Sequence, residues 1–294
     1  MKRAVKFQSF SSGSCGNCYF LGVEEDGVIT DAVLVDAGVS LRAVKRELLS
    51  EHIPLSCLRG ILVTHDHMDH IRSLGSYCKY LQLPVWATAE LHGAMACHSY
   101  TLEHLAAVRH TLVPDVWNEI IPGTLEARYF IVPHDATQTV GYGIRIAGLP
   151  FVIMTDLGRM TPEALSYASH ARVVVVESNY DRQMLINGPY PYDLKMRIIQ
   201  GSGHLSNDEC AEAVARFYHP ELTHLFLCHL SENNNTPELA YKATSDALAG
   251  IGLLPSYENS SYFASSEGDS LIMQPLPRRT PSRLFTLDDR ELPF

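Results

Sequence analysis

Long apolar runs are missing from this chain. No stretch of its 294 residues reaches 18 uncharged apolar side chains, and the opening MKRAVKFQSF lacks the apolar core of a secretory signal. The expectation is a cytoplasmic protein with no membrane contact. Cysteine is scarce and odd in number, seven residues without a framework spacing, which argues against a disulfide scaffold and for a reducing compartment. Cys15 and Cys18 make one isolated Cys-x-x-Cys with no second pair, too little for a structural zinc site. Positive charge is short as well. With 23 Lys and Arg against 33 Asp and Glu, a net charge of −10 excludes a protein that coats nucleic acid by bulk charge. A nucleic-acid enzyme stays open, because two divalent ions would bring about four positive charges to the place where a phosphate sits.

What is present is enough for a large core, since 46% of the residues are hydrophobic. No repeat or low-complexity linker divides the chain, so one α/β domain is expected over residues 1–254. Residues 255–294 are turn-rich and end in Pro and Arg without periodicity; they read as an extension, part of it disordered or a docking tail.

The chemistry concentrates in ILVTHDHMDH, residues 61–70. Ile61, Leu62 and Val63 suit a buried strand, with Gly60 before them and polar residues after. The residues that follow supply three histidines and two aspartates. His65 and His67, two apart in an extended segment, project to the same side, and Asp69 and His70 fall where the chain turns into a helix expected near residues 71–82. This spacing can deliver two ligand clusters, one per metal. Imidazole and carboxylate together suit zinc, manganese or iron, whereas magnesium and calcium prefer oxygen alone. Solvated histidines at a strand end are the plain alternative, which His-x-His alone would support better than His-x-His-x-Asp-His does.

Other strand-like runs end in the same manner. AVLVDAGVS carries Asp36, FIVPHDA carries His134, LPFVIMTDLG carries Asp156, and HLFLCHLSENNN carries His229. ARVVVVESNYD ends in Glu177, Ser178 and Asn179. Asp36 is expected to orient the histidine loop, because carboxylates behind a metal site hold its imidazoles in place. Before these runs, residues 4–10 alternate as a strand and SSGSCGN forms either a plain hairpin or a loop that presents amides to an anion. A helix is also expected from about Ala89 to Ala107.

With Thr64 the histidine packet reads THDHMDH, and here the chain resembles the metallo-β-lactamase superfamily of hydrolases. The resemblance implies a four-layer αβ/βα sandwich with the site at one edge, where the two sheets meet. It also implies two divalent ions, zinc or manganese with iron possible. The first would sit on His65, His67, His134 and Asp156, the second on Asp69, His70, Asp156 and His229. Asp156 would bridge them, since each carboxylate oxygen can take one ion.

Three further stretches, FSSGSCGNCYFL, ESNYDRQMLINGPYPYDLKMRI and GSGHLSNDECA running into CHLSENNNTPELA, resemble the YycJ/WalJ branch, associated with nuclease activity on DNA. That likeness covers roughly residues 5–245. It implies a phosphodiester hydrolase, a DNA exonuclease, with a hydroxide between the ions as nucleophile and Asp69 and His204 as catalytic groups. Ser73 departs from the Gly many relatives carry there, which touches the helix start and no ligand. His204 in GHLSN is read as the proton donor to the leaving oxygen; its alternative is the first turn of helix NDECAEAVARFY, capped by Ser206 or Asn207. Ser14, Asn17 and Asn179 are expected to touch substrate. Arg182, Lys195 and Arg197, with Arg72 and Arg159, are expected to form a basic rim, and Tyr190 and Tyr192 to offer stacking faces. A small-molecule phosphodiesterase (cyclic nucleotide or phosphonate-type), a thioester or lactam hydrolase of the same fold, and a metal-containing adaptor stay open. The oligomeric state is not legible.

Overall fold

In the computed structural model the described residues are 2–98, 103–199, 203–256, 261–265, 268 and 270–291. The opening hairpin, β1 (Lys2–Gly13) and β2 (Gly16–Glu25), shows why the expected alternation over residues 4–10 fails. Phe7, Gln8, Ser9 and Phe10 are all buried, because both faces of this sheet are covered. Of the two readings of SSGSCGN, the hairpin is the one formed: Ser11–Gly13 continue β1, and Ser14 and Cys15 make the turn.

β1 and β2 belong to a seven-stranded sheet with β3 (Val28–Val35), β4 (Leu58–Leu62), β5 (Val85–Ala87), β6 (Arg109–Thr111) and, at the far edge, β16 (Phe285–Glu291), in the order β16-β1-β2-β3-β4-β5-β6. The second sheet is built from β7 (Asn118–Ile121), β8 (Leu125–Val132), β9 (Thr139–Ile146), β10 (Leu149–Met154), β11 (Val173–Glu177), β12 (His224–Cys228), β13 (Leu254–Pro255), β14 (Tyr262–Ala264) and β15 (Ser270–Pro275). Its order is β13-β14-β15-β12-β11-β10-β9-β8-β7. The strands that carry chemistry at their ends run parallel, β3 with β4 and β10 with β11 and β12, which puts their C-terminal ends on one edge.

Alternation along β10, β11 and β12 sorts the apolar residues into two layers. Phe151, Ile153, Val173, Val175 and Phe226 face the first sheet, where the Phe7 ring packs at a tilt 4.8 Å from Phe226 and 5.6 Å from Phe151. Val152, Met154, Val174, Val176, Leu225 and Leu227 face outward onto helices Pro162–Ala168, Asn207–Phe217 and Pro237–Gly250. Helices Leu41–Ser50 and Leu74–Leu81 bury Val44, Leu48, Leu74 and Tyr77 in the cluster around the first sheet. The result is the expected αβ/βα sandwich. The two sheets are tied near the site by Val140 N to Thr64 O at 3.0 Å and Tyr142 Oη to Val63 O at 2.6 Å. Among the described residues no helix is long and apolar enough to cross a membrane.

Three more expectations need correction. The described part of residues 255–294 is not set apart: β15 pairs with β12 and β16 with β1, so this stretch extends both sheets. Leu271, Met273, Phe285 and Leu287 are buried there, a period of two in short runs that the surrounding Pro and Ser obscure. The helix near 71–82 is two pieces, Met68–Ile71 and Leu74–Leu81, because the Ser73 amide donates to Ala37 O at 3.1 Å. The helix from Ala89 stops at Met95; residues 99–102 lie outside the described ones, and 103–105 are helical.

Candidate metal centre

Three of the strand-end residues adopt left-handed backbone: Asp36 at φ 63°, Asp156 at φ 55° and His229 at φ 52°. Such a conformation is uncommon outside glycine and turns the chain sharply where β3, β10 and β12 end. Each turn aims one side chain across the sheet edge. Gly38 lets the loop after β3 lie against the histidine packet, since a Cβ there would sit 1.7 Å from the Asp69 carbonyl oxygen.

Asp36 is buried and behaves as expected. It accepts from Thr64 N at 2.8 Å, Thr64 Oγ1 at 2.8 Å and His70 Nδ1 at 2.7 Å, which fixes the tautomer and leaves His70 Nε2 toward Asp69 and Asp156. Asp66 faces away from the packet. It accepts from Thr137 N and Thr137 Oγ1, the latter at 2.8 Å, and so fastens the loop after His134 to the loop of His65 and His67.

The side chains assemble into overlapping groups whose ligand atoms lie within 4.8 Å of one another: His65 with His67 and His134; Asp69 with His70 and His229; His65 with His70 and Asp156; and Asp156 with Glu177, His204 and His229. All seven residues expected as metal ligands are thus in one place. Asp156 is central, with Oδ2 3.1 Å from His70 Nε2 and Oδ1 3.6 Å from His134 Nε2 and 3.4 Å from His229 Nδ1. The Nε2 atoms of His65, His134 and His229 are buried with no hydrogen-bond partner among the described residues. Buried polar atoms are seldom left so. Divalent cations bound among these nitrogens and the neighbouring carboxylate oxygens would satisfy them, and the donor set fits zinc or manganese.

Electrostatics agree with that fit. Burial pulls the His70 imidazolium down, yet Asp36, Asp156 and Asp69 outweigh it and hold the group at about 10. His229 is raised in the same way, burial being overcome by Asp156, Asp69 and Glu177. His65 goes the other way, lowered by burial and by its imidazole neighbours. Burial alone would raise Asp156, but His229, His70 and His65 drive it well below the usual carboxylate range. Protons here do the work of counter-charge, which a metal takes over when it binds.

Glu177 belongs to this cluster although sequence reasoning left it out of the site. Fully buried at the end of β11, its Oε1 lies 2.8 Å from His204 Nδ1 and 2.9 Å from His229 Nδ1, and its Oε2 accepts from Leu157 N at 2.7 Å and Leu205 N at 3.2 Å. The signal was an acid closing VVVVE, a strand otherwise buried throughout. Through Glu177, His204 sits beside the expected metal ligands, its ring 5.0 Å from His134 and 5.2 Å from His229. The helix alternative holds in part too: Ser206 caps Asn207–Phe217 with a capping box, two residues past His204.

The expected substrate contacts divide. Ser14, Asn179 and Arg197 line a cleft of about 190 Å³ with Tyr190 and His204. Arg197 there pairs with Asp135. Asn17 is buried and turned to the metal ligands, its Nδ2 3.2 Å from Asp69 Oδ2 and 2.8 Å from His70 Nε2, and Asn179 also holds the His229 carbonyl at 2.6 Å. Lys195 donates to Ile186 O at 2.7 Å and Gly188 O at 2.8 Å, so its ammonium closes a loop and does not face the cleft. Arg182 is exposed outside the residues that line the cleft, Arg159 lines a separate hollow with Glu209 and Glu212, and Tyr192 is exposed. The basic rim drawn from residues 159–197 is therefore not assembled, because helices Arg182–Asn187 and Tyr192–Arg197 point its cations in different directions.

Comparison with known proteins gives a consistent picture. A model of the beta-lactamase superfamily domain matches residues 31–229. Exodeoxyribonuclease YycJ of Bacillus anthracis is 33% identical over 259 residues, 86% of this chain and 94% of that protein. Exodeoxyribonuclease WalJ of Streptococcus pneumoniae is 29% identical over 84% of this chain and 91% of that protein. In fold, unliganded yeast PDE1 aligns over 96% of this chain and 99% of its own, with a TM-score of 0.66 at 13% identity. The chain belongs to the beta-lactamase superfamily, within its YycJ/WalJ-like branch.

Proposed function

We propose that the protein is a two-metal phosphodiester hydrolase that degrades DNA from an end. The observation that carries this reading is the meeting of two ligand groups at Asp156, with His65, His67 and His134 on one side and Asp69, His70 and His229 on the other. Support for DNA as substrate comes from the relatives named exodeoxyribonucleases, matched over 86% and 84% of this chain. His65, His67, His134 and Asp156 would hold one ion and Asp69, His70, Asp156 and His229 the other. Zinc and manganese suit this set, and iron tolerates it. When bound, the ions would neutralise phosphate oxygens and activate water at neutral pH.

The chain's own residues do the rest. Asp36, Thr64 and Asn17 hold His70 and Asp69, and Asn179 holds the turn at His229. Glu177 engages His204 Nδ1, which leaves Nε2 as the ring nitrogen available to the cleft, placed to give a proton to the departing oxygen.

The test is shortening of end-labelled DNA by protein loaded with zinc or manganese, beside hydrolysis of bis-p-nitrophenyl phosphate. His204→Asn should slow DNA cleavage by about a hundredfold or more, the scale of a general acid. It should slow the chromogenic diester far less, because nitrophenolate departs without a proton. Equal losses on both substrates would remove His204 as proton donor. Hydrolysis of thioesters or lactams with no DNA cleavage would move the protein to those chemistries.

A further inference from the structure

The arginines that do converge lie on the other side of the Ser14–Cys15 turn. Arg46 on helix Leu41–Ser50, Arg72 behind the histidine packet and Arg279 before β16 line one groove of about 560 Å³, together with Ser11, Ser40 and Cys15. On a chain of net charge −10, three guanidinium groups in one groove are a local inversion of sign.

The groove is built and not incidental. Arg72 is set by its Nε donating to Gly38 O at 2.7 Å, and Gly16 makes room for the guanidinium, since a Cβ there would lie 2.6 Å from Arg72 Nη2. Two acids are present as well: Glu47 also lines the groove and accepts from Gln8 Nε2 at 3.0 Å, and Glu232 pairs with Arg279 at 2.6 Å, which leaves three cations against two anions. Arg46 and Arg279 are exposed, Arg279 with one amino group held by Glu232. Groove and cleft adjoin at the Ser14–Cys15 turn. Cys15 lines the groove, Ser14 lines the cleft of His204, and Asn17, two residues on, touches Asp69 and His70.

We propose that this groove is the track for the sugar–phosphate backbone of the nucleic-acid strand. The strand would lie along Arg46, Arg72 and Arg279 and cross the Ser14–Cys15 turn, so that its end enters the cleft at the metal centre. The inference rests on the nuclease reading and adds to it where the polymer runs. Arginine is suited to this role because its planar fork matches phosphate oxygens, and such interactions position a strand without reading its sequence.

Cys15 supplies a readout independent of catalysis. It is an exposed free thiol in the groove, and Cys97, also exposed, lies outside the groove lining and serves as internal control. In the metal-loaded wild type, a phosphorothioate single-stranded oligonucleotide should slow alkylation of Cys15 by N-ethylmaleimide and leave Cys97 unchanged. The same sequence with uncharged methylphosphonate linkages should protect neither. Arg46→Gln with Arg279→Gln should weaken binding of the charged oligonucleotide about tenfold or more, and flatten log affinity against log salt by about 0.7 for each phosphate no longer neutralised by an arginine.

Unprotected Cys15 in the presence of bound oligonucleotide overturns the track, whatever the variants do. If the double variant fails to fold, protection in the wild type still decides. DNA cleavage with Cys15 unprotected overturns the groove and leaves the nuclease reading standing, whereas protection without cleavage keeps the groove and overturns the nuclease reading.

Discussion

β12 carries a buried histidine at its start and another just past its end, and the two are opposites. His224 is 6% exposed and His229 is 2% exposed, so both are buried. At the start, burial first and then Arg283 and Arg172 push the His224 imidazole down to about 4. At the end, Asp156, Asp69 and Glu177 overcome the same burial and raise His229. One strand therefore keeps a neutral imidazole at one end and gathers charge at the other. The difference teaches that burial sets the stakes of a titratable group while the sign of its neighbours sets its state. Acidic company at the C-terminal edge of the sheets makes a cation site; basic company at the opposite edge makes a packed aromatic, His224 stacking 5.9 Å from Phe226.

The sharpest way to break this contrast is Asp156→Asn. Removing the carboxylate that faces His70, His134 and His229 should reduce bound metal below two ions per chain and lower DNA hydrolysis by roughly three orders of magnitude or more, the scale of a lost central catalytic group. Metal content by emission spectroscopy and single-turnover cleavage check it. Full activity in a folded, metal-poor variant would remove the two-metal reading.

Glu177→Gln tests the support behind His229 and His204. An amide cannot match a carboxylate facing both Nδ1 atoms at 2.8–2.9 Å, so metal affinity should fall by about 10- to 100-fold, the usual effect of losing a group that orients a metal-bound histidine. Competition with a metal-binding dye measures this. Unchanged affinity together with unchanged turnover would reduce Glu177 to a core acid.

At the other end of β12, His224 should make the fold acid-sensitive. Its pKa is depressed in the fold, so below the unfolded value near 6.5 the unfolded chain takes up a proton that the fold refuses. Stability contributed above pH 6.5 is thus lost as pH falls toward 4. The gap from 6.5 to about 4 corresponds to about 3 kcal/mol. Urea unfolding of His224→Gln between pH 7 and 4.5 should show a shallower loss than the wild type; parallel curves would assign the acid sensitivity elsewhere.

The smallest expected effect separates burial from charge. Arg283→Gln removes the first of the two cations acting on His224, and its pKa should rise only part of the way toward 6.5, because burial is the larger cause. Following the imidazole resonances by NMR against pH settles the matter. A return to the ordinary value would mean that charge and not burial holds His224 neutral.

Much of the site was legible because its parts are local. A β-branched run, a turn and a polar residue are contiguous signals, so Asp36, the packet, His134, Asp156 and His229 could each be placed at a strand end without knowing which strands are neighbours. Glu177 was also placed at a strand end but not in the site, since nothing in the sequence shows that it reaches His204 and His229 across gaps of 27 and 52 positions. The C-terminal strands escaped because runs of three to seven residues are too short to show a period among Pro, Ser and Arg.

The sequence by itself placed the candidate ligands at the ends of strand-like runs, because residue type and spacing are local, and the resemblance carried by THDHMDH supplied the layered αβ/βα architecture. Only the tertiary structure decided which charges meet. Arg182, Lys195 and Arg197 are near in sequence yet part company, two short helices turning them apart. Arg46, Arg72 and Arg279 come from distant parts of the chain and share a groove, because the strand order puts β16 beside β1 and the helix after β3 near the metal loop. Proximity of charges is a property of sheet order and loop direction, and neither is written in any one stretch of the chain.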